Sequence, residues 1–252
     1  GANNRIDDNN KYIVVDFKPY FSFYKFYAAL DLEFQYHSDG SLKQDDWDNM
    51  KAIKQKIYTI GYGDPYSDPV FIKIGTLDNV SLGYGILVNH FRNDLYYPET
   101  RKLGIFASFD MSFTGASFFT EDTGIFKIFG GRFYTRPLYG LNEDQMPAGF
   151  KMLEIGISFV TDSDPYTQES KDMEFSFFGK DNPASQPVRA YALDMRLPII
   201  KWEKFTLDNY IQYGDIQKIG AGVGYGFLGK AFKVLDFKAE IIYSWDGFLP
   251  NY

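Results

Sequence analysis

The feature that most constrains this chain is a two-residue alternation of apolar and polar side chains that returns along its length in runs of about ten residues. Residues 26–37 show it first: Phe26, Ala28, Leu30, Leu32, Phe34 and Tyr36 fall on one side of a strand, and Tyr27, Ala29, Asp31, Glu33, Gln35 and His37 on the other. Successive side chains of a β-strand point to opposite faces, so the segment has one greasy face and one wet, acidic face. A transmembrane barrel strand needs about 9–11 such residues. One strand of this kind also suits the surface of a soluble sandwich, so the argument rests on its recurrence.

The pattern recurs. Residues 12–18 and 20–25 read as short strands separated by Pro19. Val70, Ile72 and Ile74 alternate with Phe71, Lys73 and Gly75, and Leu77-Asp78-Asn79 then supplies a turn. Val80, Leu82, Tyr84, Ile86 and Val88 follow, and the two segments predict a hairpin with a tight connection. Further strands are expected over 103–112, 114–121, 125–136, 153–160, 191–197, 205–213, 219–227 and 235–245. Short and long connections alternate between them, as when tight turns lie on one side of a membrane and loops on the other. These strands outrun the 5–6 residues or so common in soluble sheets, although a soluble sandwich is the rival reading. No interval reads as a linker, so residues 1–252 are expected to form a single domain, with 1–11 frayed.

One stretch changes period. Trp47, Met50, Ile53, Ile57 and Ile60 fall three or four apart, with Asp45 or Asp46 placed to cap and Lys51, Lys54 and Lys56 toward the negative end of the dipole. This predicts one short amphipathic helix over 46–58, packed over a barrel mouth, with gating or plugging as the rival role.

Composition narrows the class. Aromatic residues reach 19%, with 25 Phe and 20 Tyr, yet mean hydropathy is slightly polar at -0.29. An apolar outer face combined with a polar lumen and loops accounts for both. No run of about 18 apolar residues exists for a membrane-spanning helix. The chain starts without a cationic and then apolar leader, so an exported form is expected to have lost its signal peptide. Zero cysteines exclude disulfides, thiolate metal sites and thiol catalysis, and a net charge of -7 argues against a nucleic-acid partner.

Several apparent motifs dissolve on inspection. Gly220, Gly222, Gly224 and Gly226 lack the strand-then-helix context of a nucleotide loop; they share one strand face, where they permit curvature or let an aromatic ring lie across bare backbone. Asp162-Ser163-Asp164 reads as a turn, since the spaced oxygens and closing Glu of a calcium loop are missing. His37 and His90 sit in neither a zinc motif nor a Ser/His/Asp context, so no catalytic residue, metal site or cofactor is expected. The charged residues of the strands are expected on an inner face: Asp31, Glu33, Arg132, Arg136, Asp194, Arg196, Asp208, Asp236, Lys238 and Glu240. There they either set a transverse field that tunes ion selectivity or pair across the lumen and hold its shape.

The runs IKIGTLDNVSLGYGILVN (72–89), YPETRKLG (97–104), GGRFYTRPL (130–138), ISFVTDSDP (157–165) and GFLPNY (247–252) carry a resemblance, as does the 46–63 stretch with Trp47-Asp48 and Gly61-Tyr62-Gly63. Over residues 46–252 the chain resembles an uncharacterised family of outer-membrane β-barrel proteins of diderm bacteria. The resemblance implies a barrel in the bacterial outer membrane and no assigned activity. In similar sequences the chain continues past the segment like GFLPNY, and 249–252 make a poor strand end, so the residues given are expected to be a portion of a longer barrel.

The expectation is therefore an all-β, antiparallel transmembrane β-barrel of about 12 or more strands with one short amphipathic helix. Its function would be that of a porin-like channel for small hydrophilic solutes or ions, with a structural barrel that anchors surface loops or other envelope components as the alternative. The expected partners are the lipid bilayer of the outer membrane, small solutes, and a second copy or an envelope protein. The protein should need detergent to stay monodisperse; a single sharp peak in size-exclusion chromatography without detergent would overturn the membrane assignment.

Overall fold

The structure is a computed structural model that describes residues 2–7, 10–37, 40–42, 53–54, 56–65, 67–95, 101–141, 149–165, 187–232 and 234–250. Its strands are β1 (Ala2–Asp7), β2 (Asn10–Phe17), β3 (Tyr20–Phe23), β4 (Phe26–Leu30), β5 (Leu32–His37), β6 (Ile57–Tyr62), β7 (Val70–Gly75) and β8 (Gly104–Asp110). They continue as β9 (Thr114–Thr120), β10 (Ile128–Thr135), β11 (Glu154–Asp162), β12 (Val188–Lys201), β13 (Phe205–Ile216), β14 (Gly220–Ala231) and β15 (Leu235–Trp245). Twelve of them form one antiparallel sheet in the order β15-β14-β13-β12-β11-β10-β9-β8-β7-β6-β4-β3, and β1-β2-β5 form a second sheet. The fold is all-β and of barrel type, a meander in which almost every strand pairs with its sequence neighbour.

The polarity of the sheet is inverted relative to a soluble core. Along β11, Glu154, Gly156, Ser158, Val160 and Asp162 are buried while Ile155, Ile157 and Phe159 are exposed. Across β12 and β13, Tyr191, Leu193, Met195, Ile211 and Tyr213 are likewise exposed, and Asp194 and Gln212 are buried. No layer of helices or second sheet covers these apolar side chains among the described residues. Burial inside and apolar exposure outside is the arrangement a bilayer solvates and water does not.

The sheet is curved with its polar face inward. Arg132 of β10 lies over the Tyr84 ring at 5.7 Å, and Lys238 Nζ of β15 donates to the Tyr84 carbonyl at 2.7 Å. Five strand spacings separate β10 from β15, roughly 24 Å in a flat sheet. Only a wall that wraps round Tyr84 brings both side chains to one residue.

The connections follow the expected alternation of short and long intervals only in the first half of the sheet; the last three are short at both ends. Residues 24–25, 63–69, 111–113, 202–204 and 232–234 turn at one end, which also carries the longer 136–153. The other end carries 38–56, 76–103 and 163–187 with the shorter 121–127 and 217–219.

Two sequence expectations are corrected, and a third lies largely outside the described residues. Residues 26–37 are not one strand of one sheet, because the ladder breaks at Asp31, between β4 and β5. The pairs Phe17↔Leu32 and Tyr20↔Ala29 nevertheless keep a single register across the break. Pro19 has no N–H for the ladder, although its carbonyl accepts from the Leu30 N–H at 3.1 Å, and the next N–H, that of Asp31, turns away to the Lys56 carbonyl at 2.8 Å. The upper half of this long hairpin therefore continues past the start of β6 and pairs with β1, formed by residues expected to fray. The expected hairpin over 70–88 is only half present: β7 forms, but residues 80–88 are not a strand. Gly83 and Gly85 take φ of 58° and 91°, in the left-handed region that glycine adopts without steric cost, and turn the chain back on itself. The helix expected over 46–58 falls largely outside the described residues; 53–54 are helical, and Ile57 and Tyr58 open β6, where Ile57 pairs with Leu30 of β4 and the Tyr58 carbonyl accepts from the Thr76 N–H at 2.8 Å.

If the outward face meets lipid, Leu193→Arg should cost about 2–4 kcal/mol of folding stability in a bilayer. Urea titration of the refolded protein in vesicles measures this, and a cost near zero would remove the lipid-facing assignment.

Candidate functional site: an inward-folded segment and its charged wall

Residues 77–93 fold into the concave face. Their two ends are tied together: Asn93 Oδ1 accepts from the Leu77 N–H at 2.7 Å, and the Asn93 N–H donates to the Leu77 carbonyl at 3.0 Å. The Asn93 amide also donates to the Glu121 carbonyl at 2.8 Å, which pins the loop to the rim beyond β9. Between these ends, Leu77, Val80, Leu82, Ile86, Leu87 and Val88 are all buried. They pack with Phe119, Val160, Ala190, Ala192, Ile216 and Phe248 into one apolar cluster on the long-loop half of the interior.

The wall makes room for this segment with glycine. A Cβ on Gly214 would sit 3.2 Å from Ile86, one on Gly222 would sit 2.7 Å from Phe248, and one on Gly226 would sit 2.5 Å from the Tyr210 hydroxyl. The alternating glycines of β14 thus give aromatic side chains bare backbone to lie across, as their spacing on one strand face implied.

Toward the short-turn half, the interior becomes a network of charges. Arg132 donates to Asp194 at 3.0 and 2.5 Å and to Glu154 at 2.9 Å. Arg136 donates to Glu154 at 3.0 and 3.1 Å and to Asp110 at 2.8 Å. Arg196 reaches Glu154 at 3.1 Å and Asp208 at 3.4 Å. Neighbouring strands hold these groups level, as Glu154↔Arg196 are register partners, and so are Gly156↔Asp194. A chain of cations and rings runs through the same layer. Arg136 and Arg132 lie over Tyr134 at 5.1 and 4.6 Å, and Arg132 also lies over Tyr84. Tyr84 stacks on Tyr210 at 4.6 Å, and Lys238 lies over Tyr210 at 5.6 Å. Tyr84, the tip of the inward segment, also donates its hydroxyl to Glu154 at 3.3 Å. It is therefore the rung that joins segment to wall, helped by the Ile86 N–H donating to Gln212 at 3.1 Å.

The ten residues expected on an inner face divide. Arg132, Arg136, Asp194, Arg196 and Asp208 are brought together in this network. Lys238 and Glu240 lie beside it, 3.1 Å apart, with Glu240 bonded to Gln212. Asp31 is buried elsewhere, at the β4–β5 break between Arg101 and Lys18. Glu33 stands in the smaller sheet, opposite Asp16 and hydrogen-bonded by Gln35. Asp236 is at the exposed edge near Lys230, 3.3 Å away. Sequence reasoning missed Glu154 and Asp110, although both hold the polar phase of their strands. It also missed Tyr84, because the alternation around it assigned it to a lipid face.

A cavity of about 630 Å3 lies between the inward segment and the β7–β10 part of the wall. Phe71, Lys73, Phe106, Ser108, Asp110 and Ser117 line it from the wall, and Asp78, Asn79, Ser81 and His90 from the segment.

No protein-family model matches the chain, and no curated protein matches it. Among solved structures, three are similar at a TM-score of 0.25. One is described as "Asymmetric conductivity of engineered proteins", at 10% identity, and two are engineered variants of the Rh. blastica porin, at 9% and 10%. In each case 94% of this chain and 91% of the other are covered.

Removing one partner from a buried ion pair leaves the other uncompensated. Arg132→Ala should cost about 3–5 kcal/mol, and Lys230→Ala, at an exposed pair, within about 0.5 kcal/mol. Denaturant midpoints in one detergent compare the two; equal costs would mean that the Arg132 network is solvated and not structural.

Proposed function

We propose that the protein is an outer-membrane β-barrel that acts as a porin-like channel for small hydrophilic solutes or ions, with residues 77–93 as its constriction. The observation that carries this reading is the cavity beside the inward segment, lined by polar groups inside a sheet whose outward face is apolar. The inner charges pair with one another, so in this reading they fix the wall and hold the constriction, and the groups around the cavity set selectivity. No catalytic step belongs to it. The bilayer is the first partner, with a second copy or an envelope protein as a further one, and membership of the uncharacterised outer-membrane family belongs to the same proposal.

One observation favours a second reading. Six apolar side chains of the inward segment are sealed against the wall, and this suits a barrel that anchors surface loops or envelope components without transport.

Planar-bilayer recording separates the two. The refolded protein should give discrete small conductance steps, and Tyr84→Ala, which frees the segment from Arg132 and Tyr210, should enlarge them. Absence of steps at any voltage in both proteins would remove the channel and leave the anchor.

A further inference from the structure

The cavity between the inward segment and β7–β10 has a chemical character beyond being polar. Among the described residues, each Asp and Lys that lines it already has an opposite charge in contact. Lys73 Nζ is 2.7 Å from Asp78, and Arg136 Nη1 is 2.8 Å from Asp110. At the rim, Asp68 is 2.5 Å from Lys25 Nζ, and that ammonium holds the Asp68 carboxyl below the usual carboxylate range. An ion entering this space would have to compete with an existing pair for either partner.

What is left to meet a solute is uncharged. Ser108 and Ser117 are register partners on adjacent strands, so their hydroxyls lie side by side. Phe71 is the register partner of Ser108 on the other side, and its ring packs 5.8 Å from Phe106. Aromatic surface therefore adjoins a row of hydroxyls. A hydroxyl both donates and accepts, and a ring face accepts C–H groups, so together they match a molecule that carries hydroxyls around an apolar ring. A volume of about 630 Å3 falls within the roughly 300–1,000 Å3 of small-molecule pockets.

We propose that this cavity binds neutral polyhydroxylated solutes, small sugars in particular, in preference to charged sugars. The inference deepens the channel reading by naming its solute class, but binding in a micelle does not depend on conduction.

The test is titration of the detergent-solubilised protein with sucrose, glucosamine and glucose 6-phosphate, followed by saturation-transfer NMR. Sucrose should bind, and the two charged sugars should bind at least about tenfold more weakly. Ser117→Leu fills the cavity and should abolish sucrose binding with thermal unfolding unchanged; Ser108→Leu does the same should the first variant not fold. Asp78→Asn frees Lys73 and should raise affinity for glucose 6-phosphate by about tenfold. A folded protein that ignores sucrose, or that takes a charged sugar equally well, overturns the proposal. Sucrose binding without bilayer conductance would retire the channel and keep the site, and conductance without sucrose binding would retire the site alone.

Discussion

A polar interior enclosed by an apolar outer face has to satisfy its own charges, because neither lipid nor a dry core will do so. In this protein the requirement is met by Arg132, which binds Asp194 and Glu154 and lies over the rings of Tyr134 and Tyr84 at once. Glu154 in turn accepts from Arg132, Arg136, Arg196 and Tyr84, so one carboxylate of β11 joins β10, β12 and the inward segment. Such a network is stable only when every member is present. Curvature follows from it, because the sheet must wrap far enough for β10 and β15 to reach the same tyrosine.

The inward segment and the glycines of the wall are two halves of one arrangement. A strand with glycine at every second position would be weak by itself, since it offers no side chains to pack. Here the missing side chains are supplied from elsewhere, by Phe248, Gln212 and Tyr210, while Ile86 of the segment lies against Gly214 of β13. The apolar cluster occupies one half of the interior and the charge network the other, and Tyr84 stands where they meet. A cavity with polar lining lies on the β7–β10 side, between the wall and the segment.

How much of this was legible depended on how local the cause was. The phase of the alternation told correctly that Ile155, Ile157 and Phe159 share one face and that Arg132 and Arg136 share the other. It failed at Tyr84, where Val80, Leu82, Ile86 and Val88 keep strand spacing while two left-handed glycines reverse the chain. Phase says nothing of where a strand leaves the sheet: Asp31 and Glu33, grouped with the inner charges, lie at a break and in the smaller sheet, while Asp236 keeps the phase of Lys238 and Glu240 on the edge strand.

The sequence by itself determined the strand periodicity, the inverted polarity and the face that most side chains take, because a period of two is a property of consecutive residues and needs no knowledge of neighbours. Only the tertiary structure decided that residues 77–93 enter the interior, that Glu154 is the common acceptor and that a cavity survives beside the segment. Those outcomes depend on strand register and curvature, which bring together groups as distant in the chain as Tyr84 and Lys238.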